Sequence, residues 1–219
     1  MLVRSGENAQ PRLRERDALT GQNVFCTEFT YRRGSEIFGE AEPAEYLYQV
    51  CTGVVRSYKL LSDGRRQINA FYLPGDVFGV ESGKTHRFTT EAIVETRVQI
   101  MTYGTLFEAY TDSGMPVINN VLKLVTKNLQ HAESHMRLVG RKTSLEKVAA
   151  FLVEMDRRLT SSGVMILPMS RRDIADYLGL KVETVSRALS ILKGAGVLDF
   201  VGQAQRQIVL LNGLMKLDS

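Results

Sequence analysis

Between Ile118 and Val139 the apolar residues Ile118, Leu122, Val125, Leu129, Ala132, Met136 and Val139 follow one another at intervals of 4, 3, 4, 3, 4 and 3. That spacing puts all seven on one stripe of an α-helix of about 28 residues, two positions wide in every seven. A helix packed on its own domain usually shows a wider apolar face, and this reading stays open here. A seam this narrow suits a partner helix instead, and an identical helix in a twofold dimer is the simplest partner. The seam also divides the chain, because a different periodicity governs each side of it.

Ahead of the seam the pattern is short and extended. Tyr46–Val50, Val54–Leu60 and Gln67–Tyr72 read as strands, separated by turn signals at Arg33-Gly34, Cys51-Thr52-Gly53, Asp63-Gly64 and Pro74-Gly75-Asp76. Many short strands with such punctuation predict an antiparallel barrel or jelly roll over residues 23–110. Residues 1–22 are polar and aperiodic and are expected to form a mobile tail. A dimerisation helix is expected over 111–139, and a compact helical domain over 140–219. The fold class expected is α+β.

Within 140–219 a first helix carries Val148, Phe151, Leu152, Met155 and Leu159, with Ser144 as its expected cap. Ser170 and Asp173 have the S-x-x-D spacing of a second helix start, and that helix ends at Gly179. A third helix runs from about Val182 to Lys193 and stops at Gly194-Ala195-Gly196. Extended runs at Val197–Val201 and Arg206–Leu211 flank a turn. Helix, short glycine turn, helix, hairpin is the layout of a winged helix-turn-helix.

The third helix sorts its residues into two faces. At about 100° per residue, Val185, Ala188, Leu189 and Leu192 fall on one side and Glu183, Ser186, Arg187 and Ser190 on the other. In this motif the N-terminal half of the second helix of the pair reaches base edges in the major groove. Arg187 can donate two hydrogen bonds to O6 and N7 of guanine. Glu183 can accept from the exocyclic amine of cytosine or adenine. Ser186 is small enough to approach a thymine methyl or a base-edge polar group. Glu183 and Arg187 also have the i, i+4 spacing of a surface ion pair, which is compatible with a base-reading role. Lys181 stands where a helix cap is expected and is a poor cap, so a phosphate contact or a tolerated surface lysine both fit. Ser170, Arg171, Arg172, Thr184 and Arg206 are the other candidate phosphate contacts, with Val182 counted among the positioning residues. Capping is an equal role for Ser170, and a solvated face an alternative one for Arg171 and Arg172.

Charge and chemistry narrow the function classes. Residues 140–219 hold twelve Lys and Arg against eight Asp and Glu, whereas residues 26–110 hold nine against eleven. The C-terminal third is therefore the expected partner of a polyanion. No run of about 18 apolar residues is present, so no membrane span is expected. No secretory signal is read, and a cytoplasmic protein is expected. Cys26 and Cys51 form no CxxC pair and read as small apolar residues. His131 and His135 lie four apart but not in HExxH order, and a solvated helix edge is expected for them. No catalytic residue, metal site or cofactor pattern is read. A cupin-type enzyme needs a clustered His/Glu set that three histidines, two of them on the helix, do not supply.

Leu178-Gly179-Leu180-Lys181-Val182-Glu183-Thr184-Val185-Ser186-Arg187 resembles the recognition helix of the Crp–Fnr superfamily of bacterial regulators. Glu183-x-x-Ser186-Arg187 is similar to the Fnr-type reading triplet, since the Crp type has an arginine where this chain has Val182. Gly53-Val54-Val55-Arg56, Asp63-Gly64-Arg65-Arg66-Gln67-Ile68 and Phe71-x-x-Pro74-Gly75-Asp76 resemble that superfamily's cyclic-nucleotide-binding jelly roll. The likeness covers about residues 25–215, and its wording is nearest the FixK-type branch. It implies a homodimeric activator on a palindrome resembling TTGAT-n4-ATCAA, working with RNA polymerase on genes of low-oxygen respiration and nitrogen fixation. A cyclic-nucleotide site also needs a Gly-Glu turn and an Arg-Ser pair, whereas Arg87 is followed here by Phe88. The four-cysteine iron–sulfur site of the oxygen-sensing branch is not supplied by one cysteine ahead of the barrel. A barrel gated by a small molecule or haem is the alternative, with the same DNA domain.

Overall fold

The structure, a computed structural model, describes residues 7–14, 24–105, 115–141, 143–160, 162–201 and 207–211. Two compact units form: Met1–Leu61 with Asn69–Ala132, and Ser62–Ile68 with Glu133–Ser219.

The first unit is built on two antiparallel sheets. Strands β1 (Glu7–Arg14), β2 (Val24–Tyr31), β4 (Tyr46–Thr52), β7 (Val77–Phe78) and β9 (Thr96–Thr102) form one, in the order β1-β2-β9-β4-β7. Strands β3 (Glu36–Phe38), β5 (Val55–Leu60), β6 (Arg66–Tyr72) and β8 (Thr89–Ala92) form the other, in the order β3-β8-β5-β6. The non-consecutive neighbours β2-β9, β9-β4, β4-β7, β3-β8 and β8-β5 make this the expected jelly-roll arrangement rather than a meander. Tyr31, Phe38, Tyr48, Val55, Phe78 and Val98 are buried in its core. Arg56 and Glu91 lie opposite each other on β5 and β8 and close a salt bridge at 2.8 Å. Gly79 has φ +80°, and a Cβ there would stand 2.6 Å from the Tyr48 ring, so glycine alone fits.

Residues 7–14 differ from the mobile tail expected over 1–22. They pair with β2 from Arg14 opposite Val24 to Glu7 opposite Thr30, with one irregularity. Pro11 is tolerated because β1 lies at the sheet edge.

Helix α1 (Met115–Arg141) is the long helix the seam predicts, 27 residues in length. Leu124 packs against Val77 and Met101. Lys127 Nζ meets Asp76 Oδ1 at 2.7 Å, and Asn128 Nδ2 donates to the Val77 carbonyl at 2.9 Å. A different stripe carries Leu122, Val125, Leu129 and Met136, which are 60%, 42%, 58% and 73% exposed. Ala132 is exposed too and Val139 half-buried, while the side chain of Ile118 lies outside the described residues.

The second unit holds α2 (Ser144–Leu159), α3 (Arg171–Leu178), α4 (Val182–Gly194) and a three-stranded sheet. Its strands are β10 (Val164–Ile166), β11 (Leu198–Val201) and β12 (Gln207–Leu210), in the order β10-β12-β11. β10 is an addition to the two-stranded hairpin expected from the sequence. Thr143, not Ser144, caps α2: its side chain accepts from Glu146 N–H while the Glu146 carboxylate accepts from Thr143 N–H. The reciprocal box needs an acid three residues on, and from Ser144 that position is Lys147. Val148, Phe151, Leu152 and Met155 are buried as expected, and Leu159 is half-buried.

Candidate nucleic-acid interface

Helix α3 is fixed at both ends. The Ser170 hydroxyl accepts from Asp173 N–H at 3.1 Å, and the Asp173 carboxylate accepts from Ser170 N–H at 2.9 Å. At the other end Gly179 takes φ +65°, and Leu180 N–H returns to the Ala175 carbonyl at 2.9 Å. This left-handed cap turns the chain in the few residues before α4 begins.

Helix α4 buries Val185, Ala188, Leu189 and Leu192, the stripe expected from its sequence. Glu183 and Arg187 are exposed, and Ser186 is half-buried. Among the described residues Glu183 and Arg187 form no ion pair with each other. Lys181 occupies the cap position of α4 with extended backbone and no side-chain capping bond, and it is exposed. The N-terminus of α4 thus lacks a side-chain cap, and such a helix end favours an anion. Val182 opens the helix, and Thr184 N–H bonds the Lys181 carbonyl at 3.0 Å.

The two helices meet at these residues. Arg171, in the first turn of α3, donates from Nη1 to Ser186 Oγ at 3.4 Å. A residue expected at the phosphates thus touches one expected at the bases. Arg172 is exposed. Ser190 is exposed and returns its hydroxyl to the Ser186 carbonyl at 3.0 Å. Arg206 and the turn around it lie outside the described residues. Behind α4, Lys193 pairs with Asp199 at 2.9 Å, which holds that carboxyl below its ordinary range.

Three residues to which the sequence reading gave no part in this motif hold α3 from behind. His135 stacks on Tyr177 with ring centroids 3.9 Å apart and planes 6° apart, and its Nε2 bonds the Tyr177 carbonyl at 2.7 Å. A carbonyl only accepts, so His135 presents Nε2–H. Burial pushes the imidazole below its ordinary pKa and the Tyr177 hydroxyl far above its own. His135 is thus not on a solvated helix edge as expected. Arg66 and Gln67 also reach α3, through Asp173, Asp176 and the Asp176 carbonyl. No local pattern marks these partners, which lie 42 to 110 residues apart in the chain.

In the barrel, the stretch around Arg87 is organised by its own carboxylate. Glu81 accepts from Arg87 N–H at 3.2 Å and from Arg87 Nε at 2.7 Å. The neighbouring His86 ring lies flat on Phe38 at 3.6 Å and is buried with neither nitrogen hydrogen-bonded. Cys51 is half-buried, and its Sγ lies 3.9 Å from Glu28 Oε1. Among the described residues no cluster of three or more His, Cys, Asp or Glu could hold a metal ion. No described helix is long and apolar enough to cross a membrane.

Residues 146–217 match the Crp-like helix-turn-helix domain, and residues 28–110 match the cyclic nucleotide-binding domain. The chain is 43% identical over 164 residues to the nitrogen fixation regulation protein FixK of Rhizobium meliloti, covering 75% of this chain and 74% of that one. It is 42% identical over 200 residues to the FixK protein of Azorhizobium caulinodans, covering 88% and 79%. The solved structure of FixK2 from Bradyrhizobium japonicum superimposes with TM-score 0.81 at 57% identity, covering 89% of this chain and 96% of that one.

Proposed function

The chain belongs to the Crp–Fnr family of transcription regulators, in its FixK-type branch, and from that premise we propose that it is a homodimeric activator reading a palindrome through α4. The observation that carries the proposal is the division of α4. Val185, Ala188, Leu189 and Leu192 hold it to its domain, and Glu183 and Arg187 stand exposed with Ser186 between them.

Arg187 reads a guanine through O6 and N7, a contact worth about 1–3 kcal/mol of discrimination. Glu183 accepts from an exocyclic amine, a use that repays the repulsion between a carboxylate and the phosphates. Ser170, Arg171, Arg172, Lys181, Thr184 and Arg206 supply phosphate contacts, with Val182 setting the helix start against the backbone. Those contacts give affinity and salt dependence, while the triplet gives sequence choice.

The exposed seam of α1 is the proposed dimer contact. Leu122, Val125, Leu129 and Met136 leave a helix that is anchored to the barrel by Leu124, Lys127 and Asn128 on another face. A twofold pairing there places two recognition helices in successive major grooves about 34 Å apart. The proposed site resembles TTGAT-n4-ATCAA, and the proposed targets are genes of nitrogen fixation and low-oxygen respiration, transcribed with RNA polymerase as partner.

Selection of binding sites from random duplex DNA at stated salt tests the reading. It is expected to return a palindrome with a guanine in each half. Arg187→Ala is expected to lose discrimination at that guanine. If Arg187→Ala weakens every duplex equally, Arg187 does not read bases.

A further inference from the structure

Arg66 lies in the segment Ser62–Ile68, which belongs with the second unit, and its guanidinium spans two carboxylates of α3. Nε donates to Asp176 Oδ2 at 2.9 Å, and Nη2 reaches Asp173 Oδ1 and Asp176 Oδ2, each at 2.8 Å. The site is sheltered: the side chains of Arg66, Asp173 and Asp176 are 20%, 7% and 22% exposed. Beside it Gln67 Nε2 donates to the Asp176 carbonyl at 2.9 Å. That carbonyl is in the last turn of α3, where the helix supplies no partner of its own.

Asp173 has a second duty. Its other oxygen accepts from Ser170 N–H at 2.9 Å and from Ser170 Oγ at 2.6 Å. Arg66 is therefore one carboxylate away from the cap of α3. The first turn after that cap carries Arg171, whose guanidinium touches Ser186 on α4. A continuous set of hydrogen bonds, most of them charge-assisted, runs Arg66–Asp173–Ser170 at the cap, and Arg171 extends the same helix end onto the recognition helix. The planar fork of arginine suits this place, because Nε and Nη2 present donors in fixed directions to the two carboxylates.

We propose that Arg66 is a positioning residue for DNA reading: it sets the N-terminal end of α3, and through it Arg171 and Ser186, without itself meeting DNA. The proposal rests on the assignment of Glu183, Ser186 and Arg187 as the reading triplet.

The test uses the full chain at a temperature well below unfolding. Binding is measured to a duplex carrying TTGAT-n4-ATCAA, or the palindrome that selection returns, and to a scrambled duplex, across a salt series. In Arg66→Gln the ratio of specific to scrambled affinity is expected to fall about tenfold, the scale of one mis-set base contact. The slope of log K against log salt should become shallower by about 0.9 for each displaced phosphate contact. Arg66→Lys should recover part of both. An ion pair that merely stabilises the fold would lower the urea midpoint and leave ratio and slope at wild-type values, and that result overturns the proposal. If Arg66→Gln does not fold, Arg66→Lys, which keeps the charge without the fork, is read the same way for a smaller loss. Arg187→Ala is measured in parallel. If it keeps full discrimination, the reading triplet is wrong and the positioning role falls with it. If it loses discrimination while the Arg66 variants do not, the positioning role alone fails.

Discussion

Ser170 and Asp173 exchange hydrogen bonds across the start of α3, and the same hydroxyl sits where a DNA phosphate is expected. The two duties predict different losses. Removing a capping hydroxyl costs about 1 kcal/mol of stability, within a range of about 0.5–2. Ser170→Ala is therefore expected to lower the unfolding free energy by that amount, read as a lower urea midpoint, while the Ser170 N–H keeps its bond to Asp173. A phosphate contact adds an equal loss of affinity for specific and scrambled DNA at fixed salt. Unchanged affinity for both assigns Ser170 to capping alone. Arg171 shows the same doubling, since its contact with Ser186 places it between backbone and base contacts.

Among the elements, α1 exposes most plainly a surface that needs covering. Leu129 is 58% exposed at the centre of the seam, and Leu129→Glu places like charges opposite each other in a twofold pair. Sedimentation at micromolar concentration is expected to show a mass near one chain for this variant and near two for the wild type. Barrel stability should change little, because Leu129 does not face the barrel. A wild type that sediments as a monomer would remove the dimer from the proposal. This seam and the divided faces of α4 were legible in the sequence because a helix writes its period into neighbouring residues. β1 was not legible. Its residues Glu7-Asn8-Ala9-Gln10-Pro11-Arg12-Leu13-Arg14 carry no alternation, and pairing with β2 makes them a strand. β10 is three residues long and pairs with β12, more than forty residues further on. Nor could the sequence show Arg66 or His135 reaching α3, because each depends on a partner that no local spacing announces.

For the whole molecule, pH is expected to act through the imidazoles of His86 and His135. Burial is the first cause that lowers the pKa of both His86 and His135 from the ordinary 6.5, against the opposing pull of Glu81 and Glu42 on His86 and of the Tyr177 carbonyl and Glu154 on His135. A histidine held below its unfolded value binds fewer protons when folded, so stability is full above about 6.5 and declines as pH falls below it. The urea midpoint is expected to be lower at pH 5.5 than at pH 7.5. His86→Phe, which keeps a ring against Phe38, should flatten part of that dependence. Undiminished acid sensitivity in this variant would assign the effect to other groups. Chain order and compactness also part company in this molecule: Ser62–Ile68 lies within the span of the first unit and is placed by its contacts with the second. A recombination event joining the front of one relative to the back of another after Ala132 would exchange the partner of Asp173 and Asp176 without exchanging the acids. With Arg66 in the proposed positioning role, the inherited DNA reader would be longer than the contiguous stretch 146–217 and would include a septet encoded about eighty codons upstream.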